Sequence, residues 1–218
     1  MRTSFLEIYN MAIAELKDPQ LKATLAQNQV MFCKVMYNFF VNAISLFTNP
    51  LAVADRLSKK DEPIYHSDTF TGDGNTDTFT FSVLPDADKI DNVVYCYEAG
   101  DEYVPGDYDQ TTGTVKFQQP PDYDVPVVIG WYYVGQFDIQ LLEKEKYILS
   151  EWVMVCWSEY VNNNRLDIDR LLGDGDFKLP SNATTTNAKV NWFVVNRETV
   201  TKHMSKYAWD AAIKKVYQ

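Results

Sequence analysis

The chain has 218 residues, 46% of them hydrophobic, and a formal net charge of −10 at pH 7. That is enough apolar material for a sizeable core, in one domain or in one domain carrying an inserted lobe. The acidic excess, which sits at residues 64–137, argues against that segment gripping a nucleic-acid backbone, which needs Lys and Arg to displace counterions. Cys33, Cys96 and Cys156 are far apart, odd in number and set among apolar neighbours. They point to buried thiols in a reducing compartment rather than to a disulfide framework. Residues 1 to 20 carry Glu7, Glu15, Lys17 and Asp18 without an apolar signal core, and the chain holds no long apolar run. Secretion and membrane spanning are therefore disfavoured.

Ser4 followed by Glu7 fits a capping box, and Phe5, Ile8, Tyr9, Ala12, Ile13 and Leu16 then share one helical face. A first helix is expected to end near Leu16. Asp18-Pro19 supplies a cap and a first-turn proline, and no further breaker occurs before about Phe47, which predicts a second helix of several turns. Its later half carries Val30, Met31, Val35, Phe39, Phe40, Ile44 and Phe47, a stripe wider than one core face requires. Two roles stay open for Phe39, Phe40, Ile44 and Phe47: filling the protomer core, or meeting a second subunit or partner. Asn49-Pro50 can start a short helix through Leu57, and Ser58 to Pro63 reads as a polar hinge.

From residue 64 to 137 the pattern changes to period two. Thr69-Phe70-Thr71 and Asp77 to Val83 alternate aromatic and hydroxyl residues around the turn cluster Gly72-Asp73-Gly74-Asn75. Asn92 to Glu98, Tyr103 to Tyr108, Thr114 to Phe117 and Val125 to Val134 follow, separated by turn residues at short intervals. Such spacing predicts a small all-β lobe, sandwich-like or barrel-like. The segment holds thirteen Asp and Glu against Lys89 and Lys116, a net of −11, which leaves the rest of the chain at +1.

After the lobe, Asp138 can cap a third helix that begins at Ile139, continues through Trp152, Cys156 and Val161, and stops at Asn162-Asn163-Asn164. Residues 166 to 172 suggest a turn or two of helix. Gly173-Asp174-Gly175-Asp176 breaks it, and the stretch to residue 187 looks extended and loop-like. A final helix from about Asn187 to Val216 carries Val190, Phe193, Val194, Val200, Met204, Tyr207, Ala208, Ala211 and Ile213, with Lys189, Arg197, Lys202, Lys206, Lys214 and Lys215 expected on the other side and Glu198 and Asp210 the only acids. The fold class expected is α+β: a helical bundle of about four helices, residues 1–63 and 138–218, with an inserted all-β lobe at 64–137.

The residues offer little for catalysis. Asp-rich turns at 73–77, 101–109 and 167–176 invite a calcium reading, yet none has EF-hand ligand spacing. His66 and His203 lack a Cys or His partner at ligand spacing, and no Gly-x-Ser-x-Gly or phosphate-binding glycine loop occurs. Paired carboxylates for glycoside hydrolysis remain open because the distance that matters is spatial. Tyr95, Tyr97, Tyr103, Tyr108, Trp131, Tyr132 and Tyr133 either stack sugars or fill the lobe core. No enzyme activity, catalytic residue, metal or cofactor is expected.

The Phe-Thr-Gly-Asp-Gly turn at 70–74, Asp107-Tyr108, the Thr-Gly-Thr-Val-Lys-Phe run at 112–117 and Pro120-Pro121 resemble β modules of bacteriophage virion proteins. With two N-terminal helices before this lobe and two helices after it, nearly the whole chain resembles the head-to-tail adaptor, connector or tail tubular proteins of tailed phages. That resemblance implies a structural virion protein of the neck, assembled in the host cytoplasm as a homo-oligomeric, dodecameric ring. It would join the portal protein to tail or fibre proteins and let genomic DNA pass without specific binding, with no membrane involved. It further implies a subunit or portal interface that draws on Phe39, Phe40, Ile44, Phe47, Lys206, Lys214, Lys215 and Tyr217. A tail-fibre or baseplate attachment protein and a glycan-binding accessory protein are the alternatives.

Overall fold

The computed structural model describes residues 2–16, 22, 29–84, 92–98, 102–103, 106–109, 111–173 and 183–216; within 92–103, 162–193 and 215–216 only the backbone is described. The class is α+β, with five helices and small antiparallel sheets, and no closed barrel forms among the described residues. In chain order the elements are β1 (Thr3–Ser4), α1 (Phe5–Leu16), α2 (Gln29–Leu46), α3 (Leu51–Leu57), β2 (Lys60–Asp61), β3 (Ile64–Thr71) and β4 (Thr78–Thr80). They continue with β5 (Asn92–Glu98), β6 (Glu102–Tyr103), β7 (Gly106–Asp109), β8 (Thr114–Phe117), β9 (Pro126–Tyr133), β10 (Gln136–Phe137), α4 (Glu143–Gly173) and α5 (Ala183–Val216).

The helical stem forms because α1 and α2 each present one apolar stripe to α4. Phe5, Ile8, Tyr9 and Ala12 of α1 are fully buried with Phe32, Cys33, Met36 and Phe40 of α2, against Leu149, Trp152 and Val153 of α4. Edge-on aromatic packing fixes the contact, with Tyr9 and Phe40 rings 5.3 Å apart at 88°. The expected second helix is described only from Gln29, and its earlier part lies outside the described residues.

In the β segment, β3-β9-β5-β6 make one sheet and β4-β8-β7 another. Phe79, Phe81, Val115 and Phe117 of the second sheet and its flank share a core with Val127, Ile129, Trp131 and Tyr133 of β9. The period of two lets β9 serve both cores, since Tyr132 and, just beyond the strand, Val134 turn the other way into the stem.

A third sheet, absent from the sequence reading, joins the two parts. β10 pairs with β1 on one side and β2 on the other, so both chain crossings and the N-terminus are stitched together. Gly135 makes this possible. It sits at φ +98°, and a Cβ there would lie 2.4 Å from the Phe5 ring. Lys34 of α2 adds a brace, its Nζ lying 3.8 Å from the centre of the Tyr65 ring.

Three helix boundaries differ from expectation. α4 starts at Glu143 rather than Ile139, because the Ile139 carbonyl accepts from the Thr3 N–H and the Leu141 N–H donates to Thr3 Oγ1. It then runs through Asn162-Asn163-Asn164 to Gly173, so the polar run and residues 166–172 are helix. Intrinsic propensity there gives way to a helix of 31 residues. α5 begins at Ala183, which takes Thr184 to Thr186 into the helix, while 174–182 lie outside the described residues.

Candidate interaction surface

The start of α4 is the node on which the stem closes. Glu145 is fully buried. Its Oε2 accepts from the Leu142 N–H at 2.8 Å, capping the helix, and its Oε1 accepts from the Tyr207 hydroxyl at 2.8 Å and from the Arg56 guanidinium. Burial first, and then the bond to Glu145, push the Tyr207 phenol up to about 12, so it stays a proton donor. Lys146, equally inaccessible, bridges Glu143 and Glu7 at 2.7 and 2.5 Å, and those bonds raise its pKa.

Farther along, α5 is held to α4 by a polar seam. Lys144 meets Asp210 at 3.3 Å, and His203 Nδ1 lies 2.9 Å from Glu151 Oε2. Among its described apolar residues only Val200 and Met204 are buried.

On the lobe wall His66, Asp68 and Ser82 meet. His66 Nε2 is 3.1 Å from Asp68 Oδ2 and 3.2 Å from Ser82 Oγ, while Ser82 donates to Asp68 Oδ1 at 2.6 Å and its N–H to Oδ2 at 2.8 Å. In a nucleophilic relay the base accepts from serine on one ring nitrogen and holds the carboxylate on the other. Here one nitrogen faces both groups and the serine proton goes to the carboxylate. Asp68 is held below the usual carboxylate range by the Ser82 bonds, which outweigh the opposing effect of its burial. The three residues clasp the segment after β4 onto β3, and Trp131 Nε1 adds a bond to the Val83 carbonyl.

Among the described residues, two exposed surfaces combine charge with a large aromatic. At the far end of the lobe, the loops after β3 and before β9 are tied by Gly72 N–H to the Val125 carbonyl and Gly74 N–H to that of Pro121. Gly72 is required, because a Cβ would lie 2.2 Å from the Asp122 oxygen. This tip carries Asp73, Asp77, Asp122 and Asp124 around Tyr123, which is 82% exposed. Bonds from Thr76 above all, and from the Asn75 N–H, hold Asp73 down to about 2. The second surface is the outer face of α5. Val195, Lys202, Lys206, Trp209 and Ile213 fall on one helical stripe, and Trp209 is 68% exposed.

The residues expected at an interface divide. Phe39, Phe40 and Phe47 are buried inside the protomer, Phe39 edge-on to Trp157 at 5.2 Å, and Ile44 packs against the same core. Interface is thereby corrected to core for Phe39, Phe40 and Phe47: the width of the α2 stripe reflects contact with both α1 and α4. Lys206 and Lys214 are exposed on α5; the Lys215 side chain and Tyr217 lie outside the described residues.

Trp131, Tyr132 and Tyr133 are core residues and Tyr108 is half-buried against Phe81, so these four form no sugar platform; the side chains of Tyr95, Tyr97 and Tyr103 lie outside the described residues. Cys33 and Cys156 are buried thiols, Cys156 pushed up to about 11 by burial, and Cys96 has no described side chain. Among the described residues no cluster of three metal-ligating side chains occurs, and no helix is long and apolar enough to cross a membrane.

Sequence reasoning passed over Tyr123 and Trp209. Trp209 announces itself on a helical wheel, where it lies about 160° from the Tyr207 and Val200 side of α5. The cap that Glu145 makes on the Leu142 N–H is local, but its other partners come from residues 56 and 207, which no local pattern reveals. Comparison with protein-family models, with curated proteins and with solved structures found no match to this chain.

Proposed function

We propose that this chain is a structural, non-catalytic building block of a phage neck: a head-to-tail adaptor whose copies form a ring between portal and tail. The single observation that carries the reading is the construction of the protomer, an acidic β lobe stitched by the β1-β10-β2 sheet onto a helical stem with a basic last helix. We read the two facing sheets as a sandwich-type lobe inserted into a helical bundle. In this reading the stems stand side by side, with α5 and its Lys214-Lys215 end toward the portal and the lobes toward tail or fibre proteins. The lobe's excess of carboxylates supports passage of DNA without adhesion, because like charge opposes close approach within a Debye length.

Native mass spectrometry of the full chain tests this. A closed ring of about twelve copies is expected for a portal-matched part. A trimer would move the reading to a tail-fibre or baseplate attachment protein. A monomer at every concentration would overturn it, and would favour the glycan-binding alternative if the protein then bound sugars.

A further inference from the structure

The excess positive charge of α5 and the excess negative charge of the lobe tip have no use for each other inside one protomer. β3 runs eight residues from the hinge to the tip, about 25 Å of strand. The C-terminal part of α5 is fixed at the hinge end, through Lys144 and Asp210. Among the described residues Lys202, Lys206 and Lys214 have no acidic partner within ion-pair distance, and neither do Asp122 and Asp124. Lys202 and Lys206 share a helical stripe with the exposed Trp209, and Asp122 and Asp124 flank the exposed Tyr123 in the chain.

From this we propose that the outer face of α5 docks the acidic lobe tip of a second copy of this chain, Tyr123 packing near Trp209 while Asp122 and Asp124 face Lys202 and Lys206. The inference rests on the self-assembly reading above and names the two surfaces that meet. An aromatic pair ringed by opposite charges has the anatomy of a binding hot spot: the rings lose water, and the rim charges set register and encounter rate. The contact is heterologous, different patches meeting on the two copies, which is the kind of contact a closed ring requires. Nucleic acid and anionic membranes are the other occupants a basic helix attracts. The lobe, at −11, would be repelled by both.

The test is a charge exchange on the full chain, read by sedimentation velocity and native mass spectrometry. One variant carries Lys202→Glu and Lys206→Glu, a second Asp122→Lys and Asp124→Asn, the Asn chosen because residue 124 has φ 64°. Each alone is expected to weaken self-association about tenfold or more. Mixing them is expected to restore assemblies containing both, since residue 122, a lysine in one variant, then faces the carboxylates at 202 and 206 of the other, while the unaltered helix and the unaltered tip meet at the next contact. Trp209→Ala should weaken assembly at low and high salt alike, whereas wild-type assembly should loosen as salt rises.

If both charge variants assemble as wild type does, the proposed contact is wrong while the ring reading stands. A wild-type chain that stays monomeric overturns both. Were the variants to fail singly and also when mixed, with their unfolding midpoints unchanged, pairing between these two surfaces would be refuted. Binding of wild type, but not the Lys variant, to phosphatidylserine vesicles, with assembly untouched, would reassign the helix face to a membrane.

Discussion

Glu145 shows how one side chain can close a fold. Its carboxylate is out of water, caps α4, and receives the Arg56 guanidinium and the Tyr207 hydroxyl. A buried charge of this kind is costly alone, so removing one partner of the set leaves the others unsatisfied. Glu145→Ala is expected to destabilise the protein by about 3 kcal/mol in urea unfolding. Glu143→Ala, two residues earlier and largely exposed, should cost less than about 0.5 kcal/mol, because Lys146 keeps Glu7.

Asp73 gives a pH signature at the same scale. Its folded pKa, about 2, lies below its ordinary value near 3.8, so its contribution is present above the ordinary value and fades as pH falls toward 2. The Asn75 and Thr76 amides, which donate to its carboxylate, should lose exchange protection over that window, as followed by NMR. Asp73→Asn, unable to titrate, should show no such step.

Among elements, the described part of α5 is less anchored by apolar contacts than α2. α2 buries Val30, Phe32, Cys33, Met36, Phe39, Phe40 and Ala43, whereas the described part of α5 buries Val200 and Met204 and otherwise depends on polar contacts. Hydrophobic burial contributes about 1.5–3 kcal/mol per large side chain, against about 1 kcal/mol net for a hydrogen bond. Hydrogen-exchange mass spectrometry should therefore find amides of 194–214 exchanging at least about tenfold faster than those of 30–43. Equal protection would mean that the seam is stronger than its contacts imply.

For the whole molecule, the lobe and stem are joined by more than a linker. β9 contributes Trp131 and Tyr133 to one core and Tyr132 to the other, and β10 is paired on both sides with strands that lead into the stem. A load on the lobe tip is thus passed through a hydrogen-bonded sheet into α1 and α4. Charge follows the same division, with the lobe at −11 and the remainder of the chain at +1. That separation gives the chain two segments of unlike charge density.

The sequence by itself determined the elements whose cause is local. Period 3.6 gave α1 and the described α2, period two gave β8 and β9, and the carboxylate count showed that residues 64–137 hold the excess negative charge. Only the tertiary structure decided what depends on residues far apart in the chain. The β1-β10-β2 sheet consists of two-residue strands, too short to leave a periodic trace, and exists because residues 3, 60 and 137 are brought together. Phe39 and Phe40 read the same whether they face α4 or another molecule, since hydrophobic periodicity marks a buried face and not what buries it. For Trp209 a helical wheel already sets it opposite Tyr207 and Val200, but that α4 packs on that opposite side is a tertiary fact.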